Sequence, residues 1–284
     1  SAYPPILSCL KRLNMSFAKA HCESLSWLLA FTMVTCWYQP ELRAQGLDPK
    51  VTNQPNIVVF IADDMSQLDS TPYSTTGFAT PAIQRLADKG MVFERAYVAS
   101  PSCAPSRAAL LTAMYPQRNG AQANHTKPRA DIKKWPAYFQ ELGYEVVAFG
   151  KVAHYQHTKD YGFDYFAHDK FHEHAGIDAA VEYLRSRAEK KVQKPLCIMV
   201  GSNWPHVPWP QIPEKYKGKN WSLPAGSIDT PATQRWRSRY VAAVENADSQ
   251  LAAIMAATET SLPENTLMVF TSDHGAQWPF GKWH

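Results

Sequence analysis

Short continuous apolar runs alternate along this chain with stretches whose apolar residues recur three and four apart. Asn56-Ile57-Val58-Val59-Phe60-Ile61-Ala62 is a β-branched run bounded by polar residues, which predicts a strand buried on both faces. Glu145 to Phe149, Leu196 to Val200 and Thr266 to Thr271 predict three more. Thr80 to Gly90 carries an N-cap threonine, proline at the first helical position and a closing glycine, so both ends of a helix are marked. Trp135 to Leu142, closed by Gly143, predicts a second helix, and Ile177 to Lys190, with Ala180, Val181 and Leu184 on one side, a third. Thr233 to about Ala257 predicts a long one, because Tyr240, Val244, Ala247, Leu251 and Ile254 recur at helical spacing. One more helix is expected in Ser102-Cys103-Ala104-Pro105-Ser106-Arg107 and the apolar run after it, with Pro105 near its first position and Cys103 just outside. Val207 to Pro231, rich in Pro, Trp, Lys and Gly, predicts an irregular excursion of the kind that lines sites.

Strands alternating with helices argue for an α/β sandwich with a largely parallel sheet flanked by helices. Ligands of such sheets gather beyond the carboxyl ends of the strands. Here the predicted strands run into Asp63-Asp64, into Lys151 and then His154, into His206, and into Asp273-His274. Four endings that supply acids, cations and imidazoles point to one shared site.

Composition narrows the picture only a little. The 284 residues carry a net charge of +4, which demands neither nucleic acid nor an acidic membrane as partner. From Met15, Lys19 precedes a mostly apolar run from Leu25 to Tyr38 and then Gln39 to Gln45, with a possible cut after Ala44. This order predicts a leader over residues 1–50 with an export signal, and no stable membrane span. Localisation is therefore expected to be periplasmic or extracellular, with a membrane-anchored or buried N-terminal helix as the alternative. Cys9, Cys22 and Cys36 fall in that leader, so Cys103 and Cys197 remain, and they form no disulfide framework. Cys197 sits mid-strand, where inert packing is expected.

The chemistry follows from the strand ends. Asp63, Asp64 and Asp273 are hard oxygen ligands that repel one another unless a cation sits among them, and Ca2+ or Mg2+ suits them better than Zn2+. His274 is a further ligand or orients one. Arg107, Lys151 and Lys282 supply positive charge, and His154 and His206 can move protons near neutral pH. Cys103 lies at a helix start, where unpaired backbone N–H groups favour anions. A capped helix with a buried cysteine is the plain alternative. Together these groups suit a substrate with tetrahedral anionic charge, a sulfate or phosphate ester. His168, His172 and His174 match no metal motif and are expected on a solvated surface. Trp204, Trp209 and Trp221 are expected to pack within their loop, or else to form a sugar-stacking wall. Asn124-His125-Thr126 fits a glycosylation triplet, a frequent chance match.

Cys103-Ala104-Pro105-Ser106-Arg107 followed by Leu110-Leu111-Thr112 resembles the signature of the type I sulfatases, of the alkaline-phosphatase-like superfamily, whose Cys-x-Pro-Ser-Arg cysteine becomes formylglycine. Asp63-Asp64 upstream and Gly150-Lys151, His206, Asp273-His274-Gly275 and Gly281-Lys282 downstream stand in the matching order, so the resemblance runs from about Asn56 to the end. It implies a catalytic domain over residues 51–284 that hydrolyses sulfate esters, with sulfated carbohydrates such as glycosaminoglycans as substrates and a formylglycine-generating enzyme as maturation partner. It further implies Cys103 as nucleophile precursor and metal neighbour, and Asp63, Asp64, Asp273 and His274 as Ca2+ ligands. Arg107 and Lys151 would hold the formylglycine and the sulfate, His154 would orient or deprotonate the nucleophile, and His206 and Lys282 would steady the sulfate and assist the leaving group. Many sulfatases have asparagine where His274 stands and glycine where Ala113 stands. Family members also continue past the Gly281-Lys282 motif into more of the core and a smaller C-terminal domain, so an incomplete catalytic domain is expected. The alternatives are a sulfamate hydrolase, a phosphate or phosphonate ester hydrolase of the same superfamily, and an inactive carbohydrate-binding module.

Overall fold

A computed structural model of the chain describes residues 54–74, 78–170, 173–278 and 282. The leader with its cysteines and export signal, His172, and the Pro279-Phe280-Gly281 stretch lie outside the described residues. Five strands form one sheet: β1 (Asn56–Ala62), β2 (Glu145–Gly150), β3 (Tyr165–Ala167), β4 (Leu196–Gly201) and β5 (Thr266–Ser272). Their order is β3-β2-β4-β1-β5 and every pairing is parallel. The helices are α1 (Pro81–Lys89), α2 (Cys103–Thr112), α3 (Pro116–Asn119), α4 (Trp135–Glu141), α5 (Gly176–Glu189) and α6 (Pro231–Ser261). None is both long and apolar enough to cross a membrane among the described residues.

The continuous apolar strands are buried because helices cover both faces of the sheet. On one face Val58, Phe60, Val147, Phe149, Ile198 and Val200 pack against Leu184 of α5 and Val244, Leu251 and Ile254 of α6. On the other, Val59, Ile61, Val146, Ala148, Cys197 and Met199 meet Leu111 of α2 and Trp135 and Phe139 of α4. The two sets alternate along each strand, as the strand period requires. Cys197 is buried, with the Trp135 indole N–H 3.4 Å from its sulfur, which fits a packing role.

Several boundaries differ from the sequence reading, each for a local reason. Cys103 is the first residue of α2 rather than outside it, because Ser102 is the extended N-cap and its carbonyl accepts from Ser106 N–H at 3.0 Å. Thr80 caps no amide of α1: its hydroxyl accepts from Thr71 N–H at 2.9 Å. The Asp248 carboxylate of α6 reaches across instead and accepts from Ala82 and Ile83 N–H at 3.0 and 2.9 Å. α6 starts earlier than its apolar repeat, since Pro231 occupies N1 and the Thr230 hydroxyl accepts from Thr233 N–H. β3 is three residues long and carries no alternation to read. In the excursion after His206, Trp209 and Trp221 are buried, and the Trp221 indole donates to Ser238 of α6 at 2.9 Å. Those two rings pack the loop; Trp204, half-buried, stacks on His174 with centroids 5.0 Å apart.

The ends of β2 and β4 are in close contact where the chain leaves the sheet. Lys151 N–H donates to Gly201 O at 2.9 Å, and a Cβ on Gly201 would run into the Lys151 carbonyl. Gly201→Ala is therefore expected to push Lys151 off its position and lower stability by about 1–3 kcal/mol, read as a fall in the urea midpoint at unchanged m-value.

Candidate active site

Asp63 and Asp64 leave β1, Lys151 leaves β2 with His154 one turn on, His206 follows β4, and Asp273 and His274 leave β5. α2 delivers Cys103 and Arg107 to the same place, and Lys282 arrives from the far end of the chain. Every residue expected at the site from sequence is brought there, most of them buried.

At the centre Asp63, Asp64, Cys103, Asp273 and His274 each offer a donor atom, all within 4.8 Å of one another. Cys103 Sγ lies 3.2 Å from His274 Nε2, 3.9 Å from Asp64 Oδ1 and 4.0 Å from Asp63 Oδ1. Three buried carboxylates this close are balanced by cations. Arg107 Nε–H donates to Asp273 Oδ2 at 2.9 Å and its Nη2 to Asp63 Oδ1 at 3.2 Å. Lys151 Nζ pairs with Asp63 and stands 3.9 Å from Cys103 Sγ. Lys282 Nζ sits 2.8 and 3.0 Å from the two Asp64 oxygens, and His206 Nε2 is 3.8 Å from Asp64.

Arg107 lies beside Cys103, and the structure adds its partners. It is fully buried, and its Nη1 donates to the carbonyls of Lys151 and Val152 while Nε and Nη2 hold the carboxylates. Its fork locks α2 to the ends of β1, β2 and β5. Other bonds complete the frame. Asp64, with φ 65°, donates its N–H to Asp273 Oδ1 at 3.1 Å, and Ser106 Oγ donates to the Asp273 carbonyl.

The electrostatics follow from burial and from who faces whom. Burial raises the Asp63 carboxyl, but Lys151, Arg107 and His206 outweigh it and hold Asp63 far below the usual carboxylate range. Asp64 is pushed up by burial and then by Asp63 and Asp273, which is the strain that a dication relieves. Burial and then Asp273 push the Cys103 thiol up to about 12, so an unmodified Cys103 stays protonated at neutral pH and is a poor nucleophile. His154 is driven down to about 3 by burial and then by Lys151, so its imidazole is neutral.

The donor set fits a hard divalent cation. Three carboxylates crowd one point and one of them is strained by the other two; an oxygen-rich set of this kind favours Ca2+ or Mg2+. His274 adds one nitrogen. The geometry makes the cluster a candidate cation site beside the Cys103 sulfur, rimmed by Lys151, His206 and Lys282.

Two residues at this site escaped the sequence reading. Asn124 Oδ1 accepts from Ala104 N–H in the first turn of α2 at 3.3 Å, and His125 Nδ1 lies 2.8 Å from His154 Nε2. Both fall inside the Asn124-His125-Thr126 triplet. Their one signal is a polar pair in the loop that follows α3, which no periodicity marks.

A parallel α/β scaffold gathers an acid cluster, a helix-borne cysteine and three cations at its carboxyl edge, the place where ligands of such sheets collect. The family described as Sulfatase matches residues 55–281, and the chain belongs to it. An ulvan-active sulfatase of Formosa agariphila is 29% identical over 266 residues, covering 89% of this chain and 52% of that protein. A Delta 4,5-hexuronate-2-O-sulfatase of Bacteroides thetaiotaomicron is 26% identical, covering 81% of this chain and 58% of its own length. The chain thus spans about half the length of these relatives. The crystal structure of Ps i-CgsB shares the fold with a TM-score of 0.63 at 24% identity, covering 81% of this chain and 61% of that one. BT4656, solved in complex with its substrate D-glucosamine-2-N,6-O-disulfate, shares it with a TM-score of 0.59 at 20% identity, over 78% of this chain and 66% of its own.

The buried neutral His154 gives the site a pH signature. Its ordinary value is 6.5 and the fold holds it at about 3, so between these values the unfolded chain binds the extra proton. Stability then rises with pH and is lost on acidification from about 6.5 downward. His154→Gln is expected to flatten the fall in urea midpoint between about pH 7 and about pH 4.5, while the parent protein loses stability over the same interval.

Proposed function

We propose that the protein hydrolyses sulfate esters on sulfated carbohydrates, using a formylglycine made from Cys103 and a bound Ca2+, with Mg2+ as the second choice. The observation that carries this reading is the place of the Cys103 sulfur. It sits at the first position of α2, 3.2 Å from His274 Nε2 and 3.9 Å from both Asp64 Oδ1 and Lys151 Nζ.

Asp63, Asp64, Asp273 and His274 would hold the cation, which supplies Lewis acidity toward a sulfate oxygen. The formylglycine supplies a hydroxyl nucleophile that can be renewed at each turnover, which a thiol lacks. The chain's own residues do the rest. Arg107 keeps Asp63 and Asp273 aligned. Lys151, close to the sulfur, stabilises charge building on the sulfate, and its ammonium is raised by Asp63 and Cys103 against the opposing effect of burial. His154 accepts a proton from the nucleophile, as a neutral imidazole can. His206 and Lys282, on the outer side of Asp64, steady the sulfate and assist the leaving oxygen.

The hexuronate and D-glucosamine named for the relatives support a carbohydrate carrier for the sulfate. The same reading places the catalytic domain in residues 51–284, takes residues 1–50 as an export leader to the periplasm or exterior, and requires a formylglycine-generating enzyme in the host.

Mass spectrometry of the Cys103 peptide from the native host, paired with kinetics, tests the proposal. The expected mass is that of the aldehyde, and Cys103→Ala is expected to lower turnover of an aryl sulfate by at least about a thousandfold with little change in melting temperature. A wholly unmodified thiol in active protein, or faster turnover of the matching aryl phosphate, would overturn it.

A further inference from the structure

His154 and His125 form an imidazole pair at the rim of the site. The His154 ring is 4% exposed and its Nδ1 is buried with no hydrogen-bond partner, while Nε2 stands 2.8 Å from Nδ1 of the exposed His125. At that distance one of the two nitrogens carries the proton and the other accepts it. Two neutral arrangements satisfy this. Either His154 donates from Nε2 and leaves Nδ1 bare, or His125 donates and His154 carries its proton on Nδ1.

The surroundings decide between them. Lys151, leaving β2, and Arg107, from α2, both act on the His154 ring as cations, and each disfavours a proton held without an acceptor. On the 3-10 turn Tyr155–Asp160, the Tyr155 and His157 rings lie 4.3 and 5.6 Å from the His154 ring, centroid to centroid. The anion at this rim, Asp160, pairs with Lys127 at 3.0 Å and also acts on His157. Among the described residues no acceptor lies within hydrogen-bond reach of Nδ1, whereas His125 Nδ1 stands ready for the proton on Nε2. A buried N–H without an acceptor is costlier than a bare lone pair.

We propose that His125 is a positioning residue that accepts the Nε2 proton of His154 and so fixes its bare Nδ1 as the buried proton acceptor of the site. When Nδ1 takes up a proton, the resulting imidazolium already donates through Nε2–H to His125, which shares the charge with solvent. Histidine oriented by a hydrogen-bonded partner is a general device of base catalysis. Here the partner is an exposed imidazole at the rim of the site. The catalytic consequence rests on the hydrolase reading above; the tautomer does not.

Imidazole 15N spectra of the histidine-labelled protein, assigned with His125 and His154 variants, test the pairing without any turnover. The expected spectrum shows His154 protonated at Nε2 and bare at Nδ1. His125→Asn, whose Oδ1 can take the place of the ring Nδ1 as acceptor, is expected to keep that tautomer, and His125→Ala to lose it at an unchanged melting temperature. In aryl sulfate kinetics, His125→Ala is expected to lower kcat roughly 10- to 100-fold with KM nearly constant, and His125→Asn to recover most of it. A wild-type His154 protonated on Nδ1, or a tautomer and a kcat both indifferent to His125→Ala, overturns the proposal. The expected tautomer in a protein that turns over no sulfate ester overturns the hydrolase reading and leaves the pairing standing.

Discussion

Three carboxylates buried within a few ångström of one another are the constraint on which the rest of this structure depends. Unbalanced, they would cost more than a domain's whole stability margin. Arg107 answers two of them at once, joining Asp63 and Asp273 through its own fork, and Lys151 and Lys282 answer Asp63 and Asp64. The result is a neutralised cluster in which Asp64 still feels its two neighbours strongly enough to be pushed up. Breaking such a network by removing one partner is far costlier than the net worth of any one pair.

The parallel sheet makes the cluster possible. β1 and β5 run side by side in register from Asn56 and Thr266 to Ala62 and Ser272, so Asp63 and Asp273 emerge next to each other at one edge. β2 and β4 pair from Glu145 and Leu196 to Gly150 and Gly201, which sets Lys151 beside them. α2 then packs Leu111 into the sheet and presents its first turn to the same edge. Sequence positions as far apart as Asp63 and Asp273 meet because four parallel strands end together.

Much of this was legible in the chain. The continuous apolar runs gave β1, β2, β4 and β5 almost residue for residue, since strands buried on both faces leave an unbroken signal. The polar residues after each run then gave the site. What could not be read was long-range: the Asp248 carboxylate that caps α1 from α6, and the His125 ring that reaches His154. The role of Arg107 was half legible. Its presence beside Cys103 was plain, but only the fold shows that it faces carboxylates and carbonyls. β3 is too short to leave a pattern, and Trp209 and Trp221 are packed by α6, an element that lies later in the chain.

The central claim is that the acid cluster, in which Asp64 is still pushed up by burial and its two neighbours, binds a divalent cation. Calorimetric titration of the metal-stripped protein with Ca2+ tests it most directly. One equivalent is expected to bind, with a rise in melting temperature and with binding abolished in Asp64→Asn. No Ca2+ uptake by the folded protein, or uptake that survives Asp64→Asn and Asp273→Asn together, would contradict the account.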